Sequence, residues 1–379
     1  MTHPKLNIKI FKLSNKGWFS KIEDAMICLL TSDSLSDPRM YENYKARVAT
    51  PFGCDPENIH MSDDSIRDIT RDFNRRGFLV CDTRDFLCRD GRGYVGALGN
   101  AFSYFIFEEK GKNWMAIFDS GDGSGSHPDS CHIEEERLMQ LVRIFDVEGW
   151  VVFKRELCKD RRLMKYYPFA SHPMFPIGIN TGETMQDERS LSNRFAATGP
   201  EKDIDVLWIG NLSMSNVVPP LLVSNKDWPI FHRLKGFQEL QGIKEKRSDL
   251  NIVCSTDKVS RSKYLELVSR SKICVDMPGI GWLTRRFTEL LLMKKCVLTI
   301  DQRVEFPYPI EEGEHYYSCG EDFSNLERKI DEILSTDTNV SRIETNLERF
   351  LDYLTPEYFA SYVRNSCVNR VNEMLLNQK

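Results

Sequence analysis

The stretch with the clearest chemical potential is MPGIGWLTRRFTELLLMKK, residues 277–295. Gly279 and Gly281 permit a tight turn in which a ligand can approach the backbone closely. The helix predicted to follow would place Arg286 and Glu289 three residues apart on one flank. An arginine can neutralise a diphosphate, and a carboxylate can accept two hydrogen bonds from the hydroxyls of a ribose. The stretch is therefore a candidate site for a nucleoside diphosphate.

The same spacing has a simpler interpretation. Arg286 and Glu289 can form an ordinary i, i+3 ion pair on a helix, and such a pair contributes only about 0.2–0.5 kcal/mol. Arg285 lies near Glu289 on the outer side of the same helical pattern. Local spacing alone leaves both interpretations open.

A regular alternation of strands and helices surrounds this stretch. Apolar segments predict strands at 205–210, 250–255, 272–278 and 296–301, and helical patterns occupy 229–241, 261–270, 284–294 and 322–335. Strands that are apolar throughout and joined by helices indicate a parallel sheet covered on both faces. Thr284 is the predicted N-cap of the helix that carries Arg286. The free N–H groups and the dipole of that helix would favour an anion.

The first half of the chain alternates less regularly. Strands are predicted at NIKIF, 26–31, 77–82, NWMAIFD and 150–157, and helices at 62–77 and 133–145. A polar stretch with glycines and no apolar periodicity, residues 181–204, is the predicted linker. It separates a first domain, 1–180, from a second, 205–340, and the C-terminal helices at 341–379 could cross back to the first. The predicted fold class is α/β, with two Rossmann-like domains facing a cleft in which the carboxyl ends of strands bind ligands.

Two longer segments carry a resemblance to a known family. SRSKICVDMPGIGWLTRRFTELLLMKKCVLTI, followed by EEGEHYYSCGEDFSNLERKIDEIL, resembles the donor-binding half of GT-B-fold glycosyltransferases, in particular exostosin-type and family-1-like transferases. In these enzymes a small-residue turn precedes an arginine and a glutamate, and a hydrophobic helix, an apolar strand and a distal acidic helix follow. The resemblance covers roughly residues 203–335. It implies that Glu289 binds the nucleotide ribose, that Arg286 or Arg285 lies near the diphosphate, and that Gly279 and Gly281 form the phosphate turn.

The resemblance also implies an activity, the transfer of a sugar from a nucleoside-diphosphate sugar to a hydroxyl of a glycan or glycoconjugate. DVLWIGNLS resembles the opening strand and loop of the same half, so Gly210 and Asn211 would lie beside the leaving phosphates; an ordinary strand-end turn is the alternative. Many retaining members carry another glutamate eight residues before the one that matches Glu289. Gly281 occupies that position here, which favours inversion. No metal site is predicted, and the sugar nucleotide is a co-substrate, so we expect no further cofactor.

The loop FDSGDGSGSHPD, residues 118–129, is the candidate catalytic loop. An inverting transferase needs a base that deprotonates the acceptor hydroxyl as it attacks the anomeric carbon. Asp119, Asp122 and His127 are candidates, since they follow a predicted buried strand in a glycine-rich segment. The alternative is a polar surface loop whose aspartates only cap and turn.

Composition and charge limit the classes of function that the protein could have. The formal net charge is −5 with both signs scattered over 379 residues, so nothing supports binding to duplex nucleic acid through a basic face. The eleven cysteines form no C-x-x-C motif and are predicted to be buried reduced thiols. The sequence has no apolar run long enough for a membrane span and no secretory signal, so a cytoplasmic location is expected. Two alternatives to a glycan glycosyltransferase remain, a non-catalytic nucleotide-sugar-binding or scaffold module and a transferase that acts on DNA bases.

Overall fold

The computed structural model describes residues 7–12, 102–119, 146–164, 169, 172–177, 201–212, 229–279, 281–354 and 356–377. The chain divides into two compact units. The first comprises residues 1–182 and 355–379, and the second comprises residues 183–354. Each unit contains a five-stranded sheet with parallel strands, which confirms the predicted α/β class. The elements predicted at 26–31, 62–77, 77–82 and 133–145 lie outside the described residues, as do Asp122 and His127.

The sheet of the first unit is mixed. Its strands lie in chain order: β1 (Asn7–Lys12), β2 (Phe102–Glu109), β3 (Lys112–Asp119), β4 (Val147–Lys154) and β5 (Met174–Pro176). β1 and β2 pair antiparallel, as do β2 and β3, whereas β3, β4 and β5 are parallel. A Rossmann-like domain, as predicted for this half, has a parallel sheet, so the antiparallel pairing of β1 and β2 departs from that prediction.

A two-residue hairpin turn causes the antiparallel pairing of β2 and β3. Lys110 and Gly111 form the turn, and both have positive φ, 54° and 73°. Glu109 pairs directly with Lys112 across it. Turns with positive φ at both central residues match the twist of antiparallel strands, and glycine adopts such a φ without steric cost. The segment FEEKGKNW carried this signal in the sequence.

The second unit contains an all-parallel sheet. Its strands are β6 (Ile204–Ile209), β7 (Ile252–Ser255), β8 (Ser271–Val275), β9 (Cys296–Thr299) and β10 (Tyr317–Ser318), in the spatial order β7-β6-β8-β9-β10. The helices of this unit are α1 (Pro229–Lys246), α2 (Arg261–Ser269), α3 (Arg285–Leu292), α4 (Leu326–Leu334) and α5 (Asp337–Phe350). The strands and helices predicted between residues 205 and 335 are present at their predicted places.

The strand order of the second sheet reverses between β6 and β8. The chain passes from β6 through α1 to β7 on one side, and then through α2 to β8 on the other side of β6. In open parallel sheets the loops diverge at such a reversal, and ligands bind in the crevice outside the carboxyl ends of the two strands. The end of β6 and the end of β8 are therefore the place in this unit to examine for function.

The final helix, α6 (Pro356–Asn377), belongs to the first unit. Val363, Cys367 and Val371 are four residues apart and fully buried, so they form one face of the helix. This face packs in one core cluster with Trp114 of β3 and Phe153 of β4, among others. Among the helices described, none is both long and apolar enough to cross a membrane.

Candidate functional site

The loop after β6 brings backbone close to an indole ring. The amide of Gly210 donates to the carbonyl of Ser255 at 3.1 Å, which ties this loop to the end of β7. A Cβ atom at residue 210 would lie 2.5 Å from a ring carbon of Trp208. Only glycine therefore fits at this position without displacing the indole.

Arg233, in the first turns of α1, links the loops after β6 and β8. Its Nε donates to the carbonyl of Pro278 at 2.6 Å, and its Nη1 donates to the carbonyl of Asn211 at 3.1 Å. Its Nη2 lies 3.5 Å from the carbonyl of Met277. A Cβ at Gly279 would lie 2.9 Å from Nη2, so the glycine lets the guanidinium approach the backbone. The two predicted phosphate loops are thus held together by a cation that the sequence analysis did not identify.

Asp276 follows β8 directly and is 2% exposed. The hydroxyl of Thr284 donates to its carboxylate at 2.6 Å and accepts from the amide of Phe287 at 3.0 Å. Thr284 is therefore the N-cap of α3, as predicted, and it also binds the buried carboxylate. Burial raises the pKa of Asp276 to about 6, although the charges of Arg286 and Arg233 and the Thr284 hydrogen bond lower it.

Two arginines lie close to this one carboxylate. Burial and, to a smaller extent, repulsion from Arg286 lower the pKa of Arg233 to about 10, although the charge of Asp276 raises it. At neutral pH Arg233 is still protonated. The guanidinium carbon of Arg286 lies 5.8 Å from the centroid of the Trp208 indole, within the range of a cation–π contact. The carboxyl ends of β6 and β8 therefore carry two cations around one carboxyl group, a distribution that suits an anionic ligand.

Glu289 is 4% exposed and lies one turn further along α3. It forms an ion pair with Arg261, the first residue of α2. The simpler interpretation, in which Glu289 pairs with Arg286, is thus not the pairing found. Arg285, the first residue of α3, is half-buried.

The glycine turn after β8 is closed by its own hydrogen bond. The amide of Gly279 donates to the carbonyl of Gly281 at 2.9 Å, and Gly281 is buried. This amide is therefore occupied within the turn. An anion here would be bound by side chains and by the N-terminus of α3 rather than by the Gly279 amide.

The first unit contains a different group of charges. Asp119 ends β3, is 2% exposed, and lies 2.9 Å from the ammonium of Lys154, which ends β4 and has no exposed surface. Arg155 and Glu156 follow and are also buried. The parallel register that pairs Asp119 with Lys154 brings these residues together. Of the three candidate bases, Asp119 is thus in a buried ion pair, and Asp122 and His127 stay predictions from the sequence.

The residues predicted for the donor are Gly210, Asn211, Gly279, Gly281, Arg285, Arg286 and Glu289. All follow β6 or β8 in the second unit, and their roles stay predictions. Four further residues of this region were not predicted: Arg233, Asp276, Arg261 and Trp208. Two of these carried a usable signal, because an arginine in the first turns after a strand-end loop and an aspartate directly after an apolar strand both mark the carboxyl edge of a parallel sheet.

The described cysteines agree with the prediction of reduced thiols. Six are free and buried: Cys158, Cys254, Cys274, Cys296, Cys319 and Cys367. Within the described part of the chain, no three His, Cys, Asp or Glu side chains form a cluster that could hold a metal ion.

The fold and this site define an α/β protein in which arginine side chains lie at the strand-order reversal, on the carboxyl edge of a parallel sheet. The chain matches no known protein family, and no curated protein matches it in sequence.

Proposed function

We propose that this protein is a GT-B-type glycosyltransferase whose second unit binds a nucleoside-diphosphate sugar. The observation that supports this most is that Arg233 bridges the loops after β6 and β8 and Arg286 lies against the Trp208 ring at the strand-order reversal. The N-terminus of α3 begins at the same edge and favours an anion. A diphosphate supplies the negative charge that this arrangement suits.

The ribose of the nucleotide would be bound by Glu289. A carboxylate accepts two hydrogen bonds at once, so it suits the adjacent hydroxyls of a ribose. Arg261 pairs with this carboxylate, and its side chain is 43% exposed, so we expect it to yield the carboxylate to the ribose and to turn towards the phosphates.

The proposed reaction is a single displacement at the anomeric carbon. The acceptor oxygen forms a bond to that carbon while the bond to the diphosphate breaks, and the acceptor proton passes to a base. Arg286 and Arg233 would stabilise the charge that develops on the departing diphosphate. Asp119 is paired with Lys154, which competes for its carboxylate, so Asp122 and His127 are the preferred candidates for the base.

Two substitutions separate the two halves of the proposed site. Arg286→Met should weaken binding of pyrophosphate and of the preferred nucleoside diphosphate, with little effect on the nucleoside alone. Glu289→Ala should weaken binding of the nucleoside and the nucleoside diphosphate, with little effect on pyrophosphate. Loss of hydrogen bonds to a charged group is expected to lower each affinity by about 10- to 150-fold. Thermal shift with a panel of sugar nucleotides identifies the preferred base and sugar, since a bound ligand raises Tm by mass action, and calorimetry then measures the affinities.

Arg328→Met is the matched control, because Arg328 forms an exposed ion pair with Glu332 on α4. It should bind all three ligands as the unchanged protein does. If Glu289→Ala keeps its full affinity for the nucleoside, the ribose assignment is wrong and the carboxylate serves only to hold Arg261. Release of nucleoside diphosphate and transfer to an acceptor test catalysis, and binding without turnover would favour a non-catalytic sugar-nucleotide-binding module.

A further inference from the structure

The indole of Trp208 contains a buried donor that the donor site just described does not use. Trp208 is 1% exposed, and its Nε1–H has no hydrogen-bond acceptor among the described residues. A donor left unsatisfied in a protein interior destabilises the fold, so such a group is a candidate for a hydrogen bond to a ligand. The Nε1–H groups of Trp150 and Trp282 are also buried without an acceptor among the described residues, so it is the position of the Trp208 donor that makes it a candidate contact for a ligand.

The position of the ring places this donor at the carboxyl end of β6. Cε2, the ring carbon bonded to Nε1, lies 3.0 Å from the place of a Cβ at Gly210. The N–H edge of the indole therefore borders the loop that follows β6. The guanidinium carbon of Arg286 lies 5.8 Å from the ring centroid. A neutral donor and a cation thus stand next to each other at the strand-order reversal.

Tyr264, in the first turn of α2, is a second such group near Arg286. Its hydroxyl is buried and has no hydrogen-bond partner among the described residues. Burial raises the pKa of this hydroxyl to about 12, and the positive charge of Arg286 lowers it. The hydroxyl therefore keeps its proton at neutral pH. Both buried groups can donate a hydrogen bond, which indicates a ligand rich in acceptor oxygens.

We propose that the Nε1–H of Trp208 and the guanidinium of Arg286 form a subsite for a phosphoryl oxygen of the ligand. The inference rests on the proposed function, and it adds that this oxygen belongs to a diphosphate group rather than to a sugar hydroxyl. Arg286 supplies a positive charge, and the indole supplies a neutral, directional hydrogen-bond donor. The lack of a side chain at Gly210 lets the loop after β6 lie close to the indole. A diphosphate reaches the subsite either as part of a nucleotide or as a free ion, so inorganic phosphate, pyrophosphate and the preferred nucleoside diphosphate are separate arms of the test.

The direct test is NMR of the indole N–H groups in the full-length protein. The chain has six tryptophans, so the indole region contains few resonances. Saturating pyrophosphate should move the Trp208 proton downfield and slow its exchange with solvent by at least about tenfold, as expected for a new hydrogen bond. Replacing the other five tryptophans one at a time assigns the Trp208 resonance by elimination, even if Trp208→Phe does not fold.

Trp208→Phe tests the energetics where it folds. Removing one neutral donor is expected to reduce the affinity for pyrophosphate and for the nucleoside diphosphate by about 2- to 12-fold, and to leave the nucleoside affinity unchanged. Trp150→Phe is the matched control, because the Nε1–H of Trp150 in β4 is likewise buried without an acceptor among the described residues. That variant should bind all ligands as the unchanged protein does.

The outcomes separate this inference from the proposed function. If pyrophosphate binds with an Arg286-dependent affinity while the Trp208 resonance stays in place, the subsite is wrong and the nucleotide site stands. If inorganic phosphate moves the resonance as far as pyrophosphate does at equal occupancy, the subsite accepts any phosphoryl group and its assignment to a diphosphate is overturned. If neither pyrophosphate nor any nucleoside diphosphate binds, both proposals fail.

Discussion

The carboxyl edges of the two sheets handle charge in different ways. In the first unit, Asp119 and Lys154 lie side by side at the ends of β3 and β4 as a buried ion pair. In the second unit, Arg233 donates to backbone carbonyls of the loops after β6 and β8. Arg286 lies against the Trp208 ring, and Asp276 receives its hydrogen bond from Thr284. Asp119 and Lys154 neutralise each other at the first edge, whereas at the second edge Arg233 and Arg286 contact backbone carbonyls and a ring, and Arg261 pairs directly with a carboxylate, that of Glu289.

This difference decides which edge is prepared for a ligand. A cation that is held by carbonyls and by a ring keeps most of its charge available for an incoming anion, and it is already oriented. An ion pair in a dry interior must be broken before either partner can serve, and desolvation makes an isolated partner costly. Anion binding is therefore expected at the second edge, and a chiefly structural role is expected for Asp119 and Lys154 at the first.

Breaking the ion pair of the first edge should give the largest effect. Lys154→Met leaves the Asp119 carboxylate buried without its ammonium partner and is expected to lower the free energy of unfolding by about 3–5 kcal/mol. Chemical denaturation followed by fluorescence measures the loss. Arg286→Met at the second edge should lower the free energy of unfolding by clearly less. Asp276 retains the hydrogen bond from Thr284 and the nearby charge of Arg233 in that variant.

The double variant Asp119→Leu/Lys154→Met is the control for this comparison. Replacing both members of a buried pair by apolar residues is often neutral, so it should recover most of the stability lost by Lys154→Met. A double variant as unstable as the single one would mean that the lysine acts through contacts other than Asp119, and the contrast between the two edges would lose its basis.

The pH dependence of the free energy of unfolding tests the charge state of Asp276 at the second edge. The folded pKa of Asp276, about 6, lies above its ordinary value of 3.8, so the folded protein binds this proton more tightly than the unfolded chain does. The contribution of Asp276 to stability is therefore greatest below pH 4, falls as pH rises from about 4 to about 6, and is constant above. Integrated over that window, the loss is roughly 2–3 kcal/mol. Asp276→Asn, which can still accept from Thr284, should remove this slope in urea titrations at several pH values.

Asp322 supplies a control of opposite sign. Although burial raises it, hydrogen bonds from Lys235 and Ser324 lower the pKa of Asp322 below its ordinary value. Its contribution to stability is present at neutral pH and is lost as pH falls through the acid range. Asp322→Asn should therefore flatten the acid side of the profile. If Asp276→Asn leaves the fall between pH 4 and 6 unchanged, the carboxyl of Asp276 is ionised and the charge distribution of the second edge must be revised.

The two units also differ in how far the sequence predicts them. In the second unit apolar strands alternate with helices of ordinary length, and Thr284 sits where an N-cap is expected, so the elements and their order could be predicted. In the first unit the antiparallel pair β2–β3 depends on the Lys110–Gly111 turn. A two-residue turn is a weak signal beside the longer glycine-rich segments of that half.

The site residues that the sequence could not provide are those whose role depends on tertiary contact. Arg233 is 45 residues from Pro278, and no local pattern indicates that its Nε donates to that carbonyl. The pairing of Glu289 with Arg261 joins two helices, whereas spacing within one helix had suggested Arg286. Sequence periodicity predicts which elements exist, and the pairing of side chains between elements follows only from the packed structure.

Two glycines, Gly210 just after β6 and Gly149 near the start of β4, give the smallest predicted effect and the most local test. A Cβ at Gly210 would lie 2.5 Å from the Trp208 ring, whereas a Cβ at Gly149 of β4 would lie 3.2 Å from the flexible sulfur of Met374 and from the Trp114 ring. Gly210→Ala is therefore expected to cost about 1–3 kcal/mol of stability through overpacking, and Gly149→Ala less than that. Because the added methyl must push the indole away from the β6 loop, Gly210→Ala should also shift the Trp208 indole resonance, and Gly149→Ala should not. Equal costs with an unmoved Trp208 resonance would show that the indole is not pressed against this loop, and the phosphoryl subsite beside it would lose its geometric support.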